Sequence, residues 1–296
     1  MLSRRVTMRA DHEVSTARIA SGDIRYLRAG AGTPLVLLHT LRMQLEYFNG
    51  LLEALDTTRL DVIVPDLPGH GRSSAPRVDY TARYFTDAIE ELLENWGVTD
   101  AVVSGDSIGG SIALELAARH NERVTRVVAI NPYDYGQWGG ARRSSTLGNL
   151  VFTTVLWPGL GPIVARAGTR SIMRRLLEGG LHDRRVLPGE LVDDLVRCGS
   201  LRGHAQAFRS LNRNWRTWIL ARKHFPAITV PVTLVYGDDD WSRPPERDAD
   251  EQAIPGARRA TLHACGHFAS LEKPVDVARL IEATAWADKP ALENEE

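Results

Sequence analysis

Residues 101–117 read AVVSGDSIGGSIALELA: an apolar run, Ala101 to Val103, passes through Gly105-Asp106-Ser107-Ile108-Gly109-Gly110 into a segment with apolar residues three and four apart. A short apolar run bounded by glycines reads as a buried strand, and the spacing after it as a half-buried helix. A serine between the two sits on a sharp strand-to-helix turn. Residues two before and two after it must let backbones approach closely, which the glycines allow. The turn exposes the hydroxyl, and the positive end of the helix points at developing negative charge. Centring the motif on Asp106 instead puts Ser104 and Ile108 at the glycine positions, so Ser107 is the candidate nucleophile and Asp106 a neighbour directed away from it.

The same rhythm extends outward. Leu35 to Leu38, Val62 to Val64 and Val124 to Ile130 are further candidate parallel strands, and Glu46 to Leu55, Tyr80 to Trp96 and Ser107 to His120 the helices between them. This is a βαβαβ pattern. Val14 to Ile19 and Ile24 to Leu27 flank Ala20-Ser21-Gly22-Asp23, which predicts an antiparallel hairpin. Val232 to Tyr236 and Ala257 to Leu262 are two later strands, and Pro274 to Trp286 a closing helix. From Asp134 to Pro226 apolar residues fall only at helical spacing. That stretch carries 15 Lys and Arg against six acids, a net +9 in a chain whose total is −1. We expect an α/β core over 1–133 and 227–296 and a helical cap over 134–226.

Composition narrows the function classes. With 296 residues, 43% hydrophobic and 25% charged, the chain is globular, and its charge balance gives no pull toward nucleic acid. Two cysteines, Cys198 and Cys265, are too few and too far apart for a disulfide scaffold or a C-x-x-C site. No secretory signal or apolar membrane span is visible, so a cytoplasmic location is expected. No metal motif and no dinucleotide fingerprint occurs, so no cofactor is expected. Oligomeric state is not encoded in any motif.

A serine hydroxyl needs a positioned base and a group that holds the base in the right tautomer. Gly237-Asp238-Asp239-Asp240 ends one late strand, and Gly266-His267-Phe268 follows the next, while His263 offers a second imidazole. The order Ser, Asp, His matches one known triad order.

Taken together, Leu37-Leu38-His39, Asp66-Leu67-Pro68-Gly69-His70-Gly71-Arg72-Ser73, the elbow at Ser107, Gly237 to Asp240 and Gly266-His267-Phe268 resemble the α/β-hydrolase fold family over roughly residues 14–285. The resemblance implies a mostly parallel twisted sheet flanked by helices, with an inserted helical cap. It selects Asp240 over Asp238 and Asp239 as the acid, and His267 over His263 as the base. It also implies an oxyanion hole made by the backbone N–H groups of Ile108 and Leu41. Here the chain departs from the family: His39-Thr40 stands where His-Gly is usual. His39 and His70 are expected to be structural.

Arg42, Met43, Trp138 and Trp241 are candidate substrate-binding residues, with Trp157, Trp215 and Trp218 as further pocket candidates. Trp241, next to Asp240, has the best claim, and Trp215 and Trp218 are expected to share one helix face. The implied function is a cofactor-free serine hydrolase of a small-molecule carboxylic ester or lactone. A carbon–carbon bond hydrolase of diketones or an acyltransferase with the same triad is the first alternative. A receptor-like binding protein with little turnover is the second.

Overall fold

The computed structural model describes residues 13–135, 140–166 and 168–287. Eight strands form one sheet: β1 (Glu13–Ile19), β2 (Gly22–Gly30), β3 (Thr33–Leu38), β4 (Leu60–Pro65), β5 (Ala101–Asp106), β6 (Val124–Ile130), β7 (Val232–Gly237) and β8 (Arg258–Leu262). Their spatial order is β1-β2-β4-β3-β5-β6-β7-β8. Only β2 runs against its neighbours. It also continues three residues past the apolar stretch Ile24 to Leu27, because both of its edges are hydrogen-bonded, to β1 and to β4.

The apolar runs of the central strands are continuous because both faces of the sheet are covered. Alternate residues of β3 serve opposite cores. Leu35 and Leu37 pack with Leu51, Leu52 and Ile281, from the helices Asn49–Ala54 and Pro274–Ala285. Val36 and Leu38 pack with Ile89, Leu92 and Ile112, from the helices Ala82–Asn95 and Ile108–Ala118. The helix Ala82–Asn95 begins where the Thr81 hydroxyl accepts the Tyr84 N–H at 3.1 Å, a side-chain cap that satisfies one otherwise unpaired donor.

Between β6 and β7 the described elements are all helical, including Thr146–Thr154, Leu160–Arg166, Arg170–Glu178, Gly189–Gly199, His204–Arg213 and Arg216–Ala221. Half-buried ion pairs tie this segment to the sheet domain: Arg72 to Asp194 at 2.9 Å and Arg143 to Glu246 at 2.7 Å. Trp218 is fully buried, its ring 5.6 Å from that of Phe85. Trp215 is the N-cap of the helix Arg216–Ala221, with a helical backbone and its carbonyl accepting the Trp218 N–H at 3.3 Å, and it is half-buried. Cys198 and Cys265 are buried free thiols. No described helix is long and apolar enough to cross a membrane, and no described group of His, Cys, Asp and Glu is arranged to hold a metal.

Candidate active site

The parallel strands deliver their carboxyl ends to one edge of the sheet, and the order reverses between β3 and β5, where open α/β sheets place their crevices. Ser107 sits at that point with φ 56° and ψ −114°, in the left-handed half of backbone space that an L-residue seldom occupies. The turn is over-determined. The Ser107 N–H donates to the Ile130 carbonyl at 2.8 Å, and the Ser107 carbonyl accepts from the Tyr133 and Ser111 N–H groups at 3.1 and 3.0 Å.

The flanking glycines are steric necessities. A Cβ on Gly105 would lie 2.4 Å from the Gly109 carbonyl carbon, and one on Gly109 would lie 2.0 Å from the Leu38 carbonyl oxygen. Both obstacles are backbone, which cannot rotate aside. Asp106 turns the other way: its carboxylate accepts from the Tyr47 hydroxyl at 2.9 Å and the Ser270 hydroxyl at 2.6 Å. Burial pushes its carboxyl up to about 6, against the pull of those bonds.

His267 and Asp240 meet at the ends of the last two strands, with Nδ1 of the imidazole 2.5 Å from Asp240 Oδ1. Both side chains are essentially inaccessible. Asp240 Oδ2 also accepts the backbone N–H of Ser242 at 2.8 Å, as well as its hydroxyl. Burial alone would raise the Asp240 carboxyl, but the facing imidazole and the Ser242 donors outweigh it and hold the group below the usual carboxylate range. An ionised Asp240 fixes the proton on Nδ1 and leaves Nε2 as the free nitrogen.

Neighbouring groups lock this pair. Trp241 stacks on the imidazole, ring centroids 3.8 Å apart and planes 15° from parallel, while its own N–H donates to the Gly179 carbonyl at 3.2 Å. Asn131 bridges both late loops: its amide donates to the carbonyls of Gly266 and His267 at 3.2 and 3.0 Å, and its oxygen accepts the Gly237 N–H at 3.0 Å. The His267 N–H donates to the Gly180 carbonyl at 2.7 Å. A Cβ on Gly180 would fall 2.6 and 2.7 Å from the rings of Phe268 and Trp241, so the end of the helix Arg170–Glu178 packs directly against the two rings beside the imidazole.

Sequence reasoning did not single out Asn131, Ser242 or the Gly179-Gly180 pair. The available signals were an asparagine just past a strand end and two glycines just past a helical period. Asp238 accepts the N–H groups of Ala264 and Cys265 at 3.1 Å, and Asp239 pairs with His182, so both are turn residues away from the imidazole. His263 is exposed beside Asp238.

In the loop after β3, Leu67 donates its N–H to His39 Nε2 at 3.0 Å, so the ring proton is on Nδ1 and goes to the Thr40 carbonyl at 2.8 Å. That carbonyl also accepts from Met43 N–H at 3.1 Å. Peptide planarity then turns the Leu41 N–H the opposite way. Thr40 is tolerated where glycine is usual because the left-handed backbone of this loop falls at Arg42, φ 61°, two residues on. Ile108 is the first helical residue, so its N–H has no intrahelical acceptor.

Ser107, His267, Leu41 and Ile108 all border one cavity of about 100 Å³. Trp241, Trp215, Arg42, Tyr133, Phe208 and Phe268 also line it, together with aliphatic residues of the helices between β6 and β7. Met43 does not: its side chain is packed into the core, because the turn at Arg42 sends successive side chains apart, and it reaches only a smaller neighbouring cavity. Trp157 is 52% exposed on the outer surface of the helical segment, away from the cavity. Trp138 lies outside the described residues.

A family model described as alpha/beta hydrolase fold matches residues 33–149. The chain is 27% identical over 297 residues to a 2-hydroxymuconate semialdehyde hydrolase of Pseudomonas sp. (strain CF600), spanning 95% of this chain and 97% of that one. It is 29% identical over 265 residues to the pimeloyl-[acyl-carrier protein] methyl ester esterase of Aromatoleum aromaticum, spanning 84% and 96%. The solved structure of the epoxide hydrolase CorEH superposes with a TM-score of 0.79 at 24% identity, over 93% of this chain and 99% of that one, a likeness of fold.

Proposed function

The chain belongs to the α/β-hydrolase fold family, and from that premise we propose that it is a serine hydrolase of carboxylic esters or lactones that works through an acyl-enzyme. The observation that carries this reading is the convergence on one cavity of a serine held at φ 56° and an imidazole whose other nitrogen is 2.5 Å from a buried carboxylate. Similarity to a methyl ester esterase over most of both chains supports it.

The chemistry follows from the protonation states. His267 Nε2 removes the Ser107 proton as Oγ bonds to the scissile carbonyl carbon, and the carbonyl oxygen takes the charge. Leu41 and Ile108 N–H groups bind that oxyanion. Collapse breaks the bond to the alkoxy oxygen, which leaves as the alcohol with the proton from His267. Water, deprotonated by the same nitrogen, then attacks the acyl carbon, and the proton returns to Ser107 as the acid leaves. Asp240 stays ionised and stabilises the transient imidazolium.

Active-site titration with a fluorophosphonate tests the nucleophile, and a panel of esters graded by acyl length tests the reaction. Loss of turnover in Ser107→Ala is expected; an unchanged rate overturns the assignment. Carbon–carbon bond hydrolysis is the second reading, favoured by the near full-length similarity to a 2-hydroxymuconate semialdehyde hydrolase. Carboxylate products from a diketone, without turnover of simple esters, would select it. Ligand binding that survives Ser107→Ala, with no turnover in the intact protein, would instead mark a receptor-like protein.

A further inference from the structure

The cavity above Ser107 is apolar over most of its wall, yet two arginines, Arg42 and Arg142, line it and no Asp or Glu does. Arg142 is engaged, donating to the Phe152 carbonyl at 3.1 Å. Arg42 differs. Its guanidinium carbon lies 4.5 Å over the Phe208 ring, and its tip reaches between Gly168 and Gly199, where an added Cβ would stand 3.6 and 3.2 Å from Nη2. No described carboxylate pairs with it. The charged or titratable neighbours it acts on are His70 and His204, both made harder to protonate by burial first and by Arg42 in addition.

A half-buried guanidinium stacked on an aromatic face, with no described carboxylate beside it and with imidazoles that burial keeps from protonating, offers its free donors to an anion. Burial lowers the Arg42 guanidinium only to about 10, so it remains charged at neutral pH. Its position is also set by backbone strain, since the residue that carries it adopts φ 61° within the loop that presents the Leu41 N–H. A smaller cavity, lined by Gln44, His70 and His204 among others, shares Arg42 and Phe208 with the main one, so Arg42 stands where the main chamber meets a more polar one.

Resting on the hydrolase reading above, we propose that the substrate is an amphiphilic anion: an ester whose apolar arm ends in a carboxylate, received by Arg42 in a bidentate, charge-assisted contact. Arg42 is then a specificity-determining residue, and the aliphatic and aromatic wall takes the arm between carboxylate and scissile carbonyl.

The test compares pairs matched in chain length. Mono-4-nitrophenyl adipate and suberate are set against 4-nitrophenyl hexanoate and octanoate, and 4-carboxyphenyl butyrate against phenyl butyrate. The reading is the ratio of kcat/KM for the anionic member to that for the neutral one. At least one pair should favour the anion by roughly ten- to a hundred-fold in the native enzyme, the range expected of a hydrogen-bonded charge pair. The ratio should collapse toward one in Arg42→Met and recover in part in Arg42→Lys. A general disturbance of the loop would slow both members and leave the ratio intact. Ratios near one for every pair, or a preference that survives Arg42→Met, overturn the proposal while leaving the hydrolase in place. If no ester is turned over, the monoanilides of adipic and suberic acid are titrated against their neutral counterparts by the fluorescence of Trp215 and Trp241. Anion-selective binding lost in Arg42→Met would uphold the subsite and sink the hydrolase reading alone; unselective or absent binding would sink the subsite as well.

Discussion

Replacing His39 with glutamine should remove a defined part of the protein's acid sensitivity. In the native fold the imidazole is fully buried, receives the Leu67 N–H on Nε2 and donates from Nδ1 to Thr40. Protonation would set a new N–H against the one from Leu67. Burial lowers the group from its ordinary 6.5 to about 4. A histidine with a depressed folded pKa contributes stability that is present above 6.5 and is lost as pH falls toward 4, because only the unfolded chain takes up the proton in that window. The whole shift corresponds to roughly 3 kcal/mol, of which about 2 kcal/mol is lost between about pH 8 and pH 5. Glutamine keeps an acceptor for Leu67 and does not titrate. Urea unfolding of both proteins at the two pH values gives a double difference in which groups that do not feel His39 cancel. His70, depressed by burial first and by His39 in addition, adds to acid loss in both proteins but less in the variant, a difference of the same sign as the one sought. Asp66 and Asp106, raised to about 6, gain stability as pH falls through that value, again in both. The variant should be less stable at the higher pH but lose about 2 kcal/mol less on acidification. Parallel losses would show that His39 is not held neutral, and the argument that it orients the Leu41 peptide would fail with it.

Three further outcomes follow from the site. Asp240→Asn should fold but lose on the order of 10⁴ in kcat, because the amide lets the imidazole adopt the wrong tautomer; a loss below about tenfold would place the orienting acid elsewhere. Gly109→Ala must move β3 or the helix after Ser107, since its Cβ would sit 2.0 Å from a carbonyl oxygen. Thermal unfolding and fluorophosphonate labelling should both collapse, whereas Gly50→Ala, with only ordinary contacts at 3.6 Å, should do neither. Trp241→Ala removes the face stacked on His267 and should lower kcat more than it raises KM, as expected of a group that positions the imidazole; a pure KM effect would make it only a substrate contact.

The parts of the site that were legible in the sequence are those set by local sterics. The glycines at 105 and 109 announce a turn because each abuts backbone, and the apolar runs announce strands because helices cover both faces of the sheet. The choice of Asp240 among three consecutive aspartates was not legible from composition or spacing; it came from the resemblance. What the sequence hid is set by tertiary approach. Asn131 reaches loops more than a hundred residues away, and the Gly179-Gly180 contact depends on how the helix Arg170–Glu178 ends beside Trp241 and Phe268. Pocket assignments suffered most. One left-handed residue, Arg42, separates its own side chain from that of Met43, and of two tryptophans three residues apart Trp215 lines the cavity while Trp218 is buried in the core.

The most direct measurement is intact-mass labelling with a fluorophosphonate, run on the native protein and on Ser107→Ala. The account predicts one adduct on the native chain and none on the variant, since only a serine facing a working base and an open oxyanion site reacts. No adduct on the native protein, or equal labelling of the two, would contradict it.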